Sequence, residues 1–167
     1  MMSVRAAKFV DIPRIVEIMA EGHARSRFAS CTPDVIEAKQ LLVRCIQRHG
    51  HTNYLGSMVL VSERDGVVQG FVVAILDAVY PCLKELRVTD LFFIFGDKAS
   101  PRDAMQMVKQ LIAWGRDNPK CVETFLSVND AIGDWRRIGK IYERAGLEKC
   151  GAMYRLEFSR IEQEAAA

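Results

Sequence analysis

Hydrophobic positions along the 167-residue chain recur at two spacings, one typical of strands and one typical of helices. Strand-like runs rich in β-branched and aromatic residues cover residues 3–10, 57–63, 67–80, 86–95, 122–129 and 153–158. Helical spacing follows four capping segments, which are Asp11, Thr32-Pro33-Asp34, Ser100-Pro101 and Asp134. The predicted order β-α-α-β-β-β-α-β-α-β indicates an α+β (mixed α/β) fold, with helices packed on a largely antiparallel sheet.

Two parts of this pattern specify the geometry of the sheet. The Asp65-Gly66 pair lies between two strands and suits the positive φ angles of a tight hairpin turn. Residues 71–76 are apolar at both parities, which predicts a central strand covered on both faces. No repeat or linker divides the chain, so we expect a single domain over residues 1–167, with a frayed tail at 162–167.

The stretch 86–115 predicts a ligand site. A strand ending at Phe95 is followed by a break at residues 96–100 and by a helix that begins at Pro101. Ser100 before that proline is a strong N-cap signal. Because the first N–H groups of a helix have no partner within the helix, this loop is a candidate binding site for the phosphates of a cofactor.

Composition and charge narrow the class of protein. A net charge of +2, from scattered basic residues, does not indicate a partner that is nucleic acid or a membrane surface. No apolar run approaches the roughly 20 residues that cross a bilayer, and the Met-Met-Ser-Val-Arg start lacks a signal-peptide core, so we expect a cytoplasmic protein. Five widely spaced cysteines indicate free thiols. His49-Gly50-His51 has no carboxylate or thiol beside it, and no metal site is predicted.

Val4-Arg5-Ala6-Ala7 and Asp11-Ile12-Pro13-Arg14-Ile15 are similar to the first strand and helix of the GCN5-related N-acetyltransferase (GNAT) superfamily, a resemblance that extends along nearly the whole chain. Residues 91–95 and Leu111-Ile112-Ala113-Trp114-Gly115-Arg116 lie where its acetyl-CoA motif belongs, and Ile141-Tyr142-Glu143-Arg144-Ala145-Gly146-Leu147-Glu148 is similar to its last helix. The resemblance implies a GNAT-like twisted sheet of about six to seven strands, with about four helices on its faces.

The predicted phosphate loop departs from the superfamily's pattern, which is Gln/Arg-x-x-Gly-x-Gly/Ala. Counting back from Trp114 places Ala99, Ser100, Pro101, Arg102, Asp103 and Ala104 in these positions, and only Ala104 matches. Arg102 replaces a glycine that allows close approach of the backbone, and Asp103 places a carboxylate where it would repel phosphate or cap its own helix. Either the helix start still binds pyrophosphate, with charge from Lys98 and Arg102, or the fold serves as a non-catalytic binding module.

The resemblance implies acetyl-CoA as co-substrate, bound partly by backbone groups that pair with its pantetheine arm as an added strand would. The cofactor-binding residues predicted in this way are Phe93, Ile94, Phe95, Lys98, Ser100, Arg102, Asp103, Ala104 and Asn129. Asn129 could instead cap the turn that follows it. Tyr142 is implied as the general acid for the departing thiolate, but its helical spacing from Trp135 fits a core aromatic equally well. The superfamily often carries an asparagine where this chain has Trp135.

Asp90 is a second catalytic candidate, found from the residues themselves. It shares strand parity with Leu86, Val88, Phe92 and Ile94, so a carboxylate interrupts an apolar face. Desolvation there would raise its pKa and suit a general base or a group that holds a cation. The alternative is a structural partner for a buried arginine or a backbone donor. Glu85, at the start of the strand, is a weaker candidate.

The predicted function is transfer of an acetyl group from acetyl-CoA to a primary amine, on a small molecule or on a protein lysine or N-terminus. The alternatives are a non-catalytic GNAT-fold binding module and transfer of another acyl or aminoacyl group. Acceptor specificity is expected in residues 22–33 and 80–85. An edge strand at residues 151–158 could pair across a homodimer, and neither nucleic acid nor a membrane is an expected partner.

Overall fold

A five-stranded mixed sheet forms the centre of the computed structural model, which describes residues 2–96 and 99–157. The strands are β1 (Met2–Ala6), β2 (Ser57–Arg64), β3 (Val67–Ala78), β4 (Leu86–Phe95) and β5 (Cys121–Phe125). They lie side by side in chain order, and every neighbouring pair is antiparallel except β4 and β5. A parallel pair requires a crossover connection, which the helix between β4 and β5 provides.

Four helices lie on the two faces of the sheet in the described part of the chain: α1 (Ile12–Ala24), α2 (Val35–Gln47), α3 (Pro101–Arg116) and α4 (Trp135–Arg144). The apolar sides of α1 and α2 are buried against one face, where Ile15 and Leu42 contact the same cluster as Phe71. On the other face, Met107 and Leu111 of α3 are buried with Val72. The last helix, α4, packs against α3. The helices therefore lie on both faces of the sheet, which is the α+β arrangement that the sequence predicts.

Local features of the hairpin and of the last helix are confirmed. Asp65 and Gly66 have φ angles of 51° and 80°, as the predicted tight turn requires. Strand β3 is buried on both faces, as its apolar residues at both parities indicate. Gly146 follows α4 with φ 97°, a left-handed helix end that glycine adopts without steric cost.

The sheet has fewer strands in the described residues than the predicted six to seven, and the largest differences from the predicted strands are at three places. β1 ends at Ala6 rather than at residue 10, because the Asp11 carboxylate accepts the Lys8 N–H at 2.7 Å and turns the chain. β5 ends at Phe125 rather than at residue 129. Residues 153–157 are not a strand. Their alternating apolar side chains are not buried against the rest of the protein, and Tyr154 is 94% exposed. Phe158 and the tail at 162–167 lie outside the described residues.

His49 connects the end of α2 to the sheet. Its Nδ1 accepts the backbone N–H of Val59 at 3.1 Å, which requires an unprotonated Nδ1. Burial lowers the pKa of this imidazole below its ordinary value of 6.5. The folded state therefore binds fewer protons than the unfolded state just below this pH, and stability is lost as the pH falls through this range.

We expect the melting temperature of the protein to fall between about pH 7 and pH 5, and to fall less in His49→Gln, which has no imidazole to protonate. The variant loses stability at pH 7, by about 1–2 kcal/mol, since the Val59 N–H loses its acceptor. Thermal unfolding across this pH range checks the prediction. His51→Gln, which changes an exposed neighbour, is the control. Equal pH dependence in the wild type and in His49→Gln would contradict it.

Candidate functional site

A β-bulge in β4 shapes the candidate site. Val73 of β3 pairs with Phe92 and Ala74 pairs with Asp90, so Leu91 is an extra residue on β4. A bulge shifts the alternation of side chains by one position. Phe92 and Ile94 consequently contact the cluster beneath α1 and α2, on the opposite face from Val88. The prediction that Asp90, Phe92 and Ile94 share one face is therefore wrong, because it assumed regular alternation through the position of the bulge.

Strands β4 and β5 diverge immediately after Thr89, which pairs with Phe125 in the last position of their ladder. Beyond it, residues 90–94 of β4 border a cleft of about 240 Å³, whose other wall is residues 127–129 and 131–135 with Ile138 and Tyr142 of α4. At about 3.3 Å per residue, this part of β4 extends about 13 Å, from the divergence point towards the start of α3. In the described part of the chain no strand pairs with this edge of β4 beyond Thr89, so the edge can pair with an extended ligand.

Asp90 lies at the point where the two strands diverge. Its Oδ1 accepts the backbone N–H of Ser127 at 2.8 Å, with the Ser127 hydroxyl at 3.4 Å. Burial raises the pKa of the Asp90 carboxyl above its ordinary range, although the bonds from Ser127 oppose this shift. The Ser127 N–H is thus the backbone donor that the structural alternative for Asp90 predicts. Asp90 also places a partly desolvated carboxylate on the wall of the cleft.

Tyr142 reaches the same cleft from α4. Its ring lies 5.9 Å from that of Phe93, and only 6% of the residue is exposed. The hydroxyl is buried and has no hydrogen-bond partner among the described residues. Burial, reinforced by the charge of Asp90, raises the pKa of the phenol well above its usual range. Tyr142 therefore keeps its proton and holds an unused donor in the cleft, which is more than packing of a core aromatic requires.

The start of α3 lies at the far end of the cleft-facing edge of β4, and Ser100 caps it as predicted. The Ser100 hydroxyl accepts the Arg102 N–H at 3.2 Å. Its carbonyl accepts the N–H groups of Asp103 at 3.0 Å and Ala104 at 3.2 Å. The backbone donors expected to bind pyrophosphate are therefore already bonded within the helix start, so a phosphate there depends more on side chains and on the helix dipole.

Other residues of the predicted phosphate loop have different surroundings. The Asp103 carboxylate is buried and accepts the hydroxyl of Ser62 on β2, so the expectation that it caps its own helix is wrong. Ala104 is buried on the inner side of α3, whereas Arg102 is exposed at its first turn. Lys98 lies outside the described residues.

Asn129 and Trp135 both line the cleft. Asn129 Oδ1 accepts the N–H of Ala131 at 2.9 Å, which is the turn-capping alternative proposed from the sequence. Trp135 is the first residue of α4, with the guanidinium carbon of Arg136 5.1 Å from the centre of its ring. The structure therefore gives Asn129 a local bond and places an aromatic ring where the superfamily often has an amide.

Two features of the site have little or no signal in the sequence. Ser127, whose N–H bonds Asp90, carries no motif and is placed only by the divergence of the strands. A second cavity, of about 290 Å³, lies between α1, α2 and β4, and its wall includes His23, Ser26 and Phe28. The polar 22–33 connection was the only sequence signal for it. Residues 80–85, also expected to bind the acceptor, line neither the cleft nor this cavity.

The described residues form neither a metal-binding cluster nor a membrane-spanning helix. Within residues 2–96 and 99–157, no group of three or more His, Cys, Asp or Glu side chains could hold a metal ion. No helix in these ranges combines the length and hydrophobicity that spanning a bilayer requires.

Comparison with solved structures shows the fold. Glucosamine-6-phosphate N-acetyltransferase from Arabidopsis thaliana superposes with a TM-score of 0.66 at 10% identity, covering 95% of this chain and 99% of its own. A predicted acetyltransferase from Clostridium acetobutylicum with acetyl-CoA has a TM-score of 0.65 at 12% identity, covering 94% and 96%. A transcriptional regulator from Bacillus halodurans C-125 has a TM-score of 0.64 at 14% identity, covering 95% and 100%.

This chain has the GNAT fold, as the order and spacing of its motifs predict. Its sequence matches no family model and no curated protein. Identities of 10–14% establish a common architecture, and the activity has to be argued from this chain's own residues.

Proposed function

We propose that the protein is an N-acetyltransferase that moves an acetyl group from acetyl-CoA to a primary amine. The observation that carries the proposal is the hydroxyl of Tyr142, which has no hydrogen-bond partner within residues 2–96 and 99–157 and lies in a cleft bordered by the edge of β4. A buried donor without a partner is uncommon in a folded protein and is explained by a ligand that accepts its hydrogen bond. The solved structure with acetyl-CoA shows that this fold accommodates the co-substrate in another protein.

The residues present fit an extended acyl donor along β4. Backbone groups of Phe93, Ile94 and Phe95 lie on the strand that borders the cleft, and they can pair with the amides of a pantetheine arm as a neighbouring strand would. The α3 N-terminus lies at one end of this edge, and Asp90 with Tyr142 at the other. When bound, acetyl-CoA supplies an acetyl group activated as a thioester. Its phosphates would lie towards α3 and its thioester towards Tyr142.

Asp90 and Tyr142 have complementary tasks in this proposal. The Asp90 carboxylate takes a proton from the acceptor ammonium, and its raised pKa makes it a stronger base than an exposed aspartate. The Tyr142 hydroxyl donates a hydrogen bond to the departing sulfur, and this bond stabilises the negative charge that develops on the sulfur. One N–C bond forms as one C–S bond breaks. The nitrogen loses two protons in all: one replaces the proton that Tyr142 gives to the sulfur, and Asp90 passes the other to solvent.

The test is amine-dependent release of free thiol from acetyl-CoA, with the acetylated amine identified by mass. The expected result is equal amounts of thiol and acetylated amine from the purified protein. Thiol release without an acetylated amine would indicate hydrolysis and contradict the proposal. The same experiment with other acyl-CoA and aminoacyl donors tests the alternative that the protein transfers a different acyl or aminoacyl group.

A non-catalytic binding module is the second candidate, and the start of α3 favours it. Ser100 accepts the N–H groups of Arg102 and Asp103, which would otherwise be available to a pyrophosphate, and Arg102 stands where the superfamily has a glycine. Absence of both acetyl-CoA binding and thiol release would favour this candidate.

A substitution of Arg102 tests whether its side chain binds the phosphates of acetyl-CoA at the start of α3. We expect Arg102→Ala to weaken acetyl-CoA binding by about tenfold, because a charge-assisted hydrogen bond to phosphate contributes about 1.5–3 kcal/mol and exposure reduces it. Calorimetric titration measures the affinity, and binding of S-acetyl-pantetheine, which lacks phosphates, should not change. Arg116→Ala, at the other end of α3, is the matched control. Unchanged or tighter binding of acetyl-CoA by Arg102→Ala would show that Arg102 does not replace the missing glycine.

A further inference from the structure

The cavity between α1 and α2, of about 290 Å³, lies on the opposite side of β4 from Tyr142. Four residues, Phe92, Ile94, Ala131 and Ile132, line both this cavity and the cleft. The α1–α2 cavity therefore meets the cleft at the gap where β4 has lost its β5 neighbour. A molecule in the cavity therefore lies next to the cleft that Asp90 lines.

The wall of the α1–α2 cavity is mainly apolar, formed by side chains that include Val16, Met19, Phe28, Phe92 and Ile94. Its size is close to the lower end of the range for small-molecule sites, roughly 300–1,000 Å³. A small molecule with one ring or a short alkyl chain therefore fits it better than a large polar substrate.

The polar side chains of the α1–α2 cavity are already bonded within the protein. His23 Nε2 lies 3.0 Å from the carbonyl oxygen of Cys31, and the Ser26 hydroxyl donates to the carbonyl of His23 at 2.8 Å. Asp34 Oδ1 accepts the N–H of Glu37 at 2.9 Å, and its carboxylate places negative charge on the wall. A sugar hydroxyl buried here would lose its hydrogen bonds to water without full replacement, and a phosphate would be repelled.

We propose that the acceptor is a small primary amine with an apolar body, such as an arylalkylamine, whose body fills the α1–α2 cavity and whose amine reaches the gap at Phe92 and Ile94. This inference rests on the proposed acetyl transfer, and it specifies the acceptor. It excludes a phosphorylated amino sugar, whose polar groups the cavity cannot satisfy. It also disfavours a protein lysine, whose flanking peptide groups the cavity is too small to hold.

Acceptor kinetics at saturating acetyl-CoA test the class directly. The probes are 2-phenylethylamine, glucosamine 6-phosphate and a short lysine peptide. We expect kcat/KM for 2-phenylethylamine to exceed that for the other two by about 100-fold, as burial of one aromatic group allows. More efficient acetylation of glucosamine 6-phosphate or of the peptide would overturn the proposal.

Variants of the cavity provide a test that does not require turnover. Ala38 on α2 lines the cavity, and Ala38→Phe should weaken calorimetric binding of 2-phenylethylamine by at least about tenfold through loss of space. Ile36→Phe, at a position of the same helix that is 71% exposed, should not change it. Phe28→Ala alters the wall at a loop residue, away from the core, and should also weaken binding. Both cavity variants should bind acetyl-CoA like the wild type.

The two proposals fail in different ways. If Ala38→Phe and Phe28→Ala both bind the amine like the wild type, the cavity is not the acceptor site and this inference is overturned. If the wild type binds 2-phenylethylamine, loses it in Ala38→Phe, and yet binds no acetyl-CoA, the cavity's ligand class is supported and the acetyl transfer is overturned instead.

Discussion

Replacing Tyr142 with phenylalanine should lower kcat for acetyl transfer by about 100-fold, the usual scale for loss of one general acid. The change removes the hydroxyl that is placed to donate to the departing sulfur and leaves the ring contact with Phe93 in place. Affinity for acetyl-CoA should change by less than about threefold, since this interaction strengthens only as charge develops on sulfur. Steady-state kinetics and calorimetric titration measure the two quantities separately.

The same substitution should not destabilise the protein. Because the Tyr142 hydroxyl has no partner among the described residues, its removal breaks no internal hydrogen bond, and the melting temperature should stay the same or rise. Tyr80→Phe is the matched control, since Tyr80 is 65% exposed and lies outside the cleft. Wild-type turnover in Tyr142→Phe would make Tyr142 a core aromatic, the alternative that its helical spacing left open.

Asp90→Asn should lower kcat/KM by about 100-fold, again the range for loss of a general base. In the wild type, the rate should rise with pH as the Asp90 carboxyl ionises, at a pKa that burial raises above the ordinary value. The variant should lose this acidic limb of the pH profile. Because asparagine keeps an oxygen that can accept the Ser127 N–H, a purely structural Asp90 would tolerate the change.

Stability gives Asp90→Asn a second observable. Since the folded-state pKa of Asp90 is raised, ionisation at neutral pH disfavours the folded state, and the neutral variant should unfold at a higher temperature. Glu123→Gln, which removes an exposed carboxylate from β5, controls for general charge effects. An unaltered pH–rate profile in Asp90→Asn would remove this residue from the proton transfer.

Local sequence signals determined much of the fold. The helix caps at Asp34, Ser100 and Asp134 and the turn at Asp65-Gly66 are where the sequence places them, because each depends on residues close in the chain. The central position of β3 followed from apolar residues at both parities. The GNAT resemblance depended on the order of such segments, and it predicted the fold correctly.

The geometry of the candidate site is less evident from the sequence than the fold is. The bulge at Leu91 has no signature in strand periodicity, and it reversed the predicted facing of Phe92 and Ile94. The bond between Ser127 and Asp90 joins residues far apart in sequence, so no local pattern reports it. Asp103 was expected to act at its own helix start, but its partner Ser62 comes from β2. Each of these features depends on tertiary contacts.

Calorimetric titration of the purified protein with acetyl-CoA tests the central claim most directly. Binding along the free edge of β4 predicts one site per chain with a micromolar dissociation constant. A Tyr142→Phe variant titrated in parallel should bind equally well while turning over slowly. No detectable binding at millimolar acetyl-CoA would contradict the account and leave the cleft as a site for some other ligand.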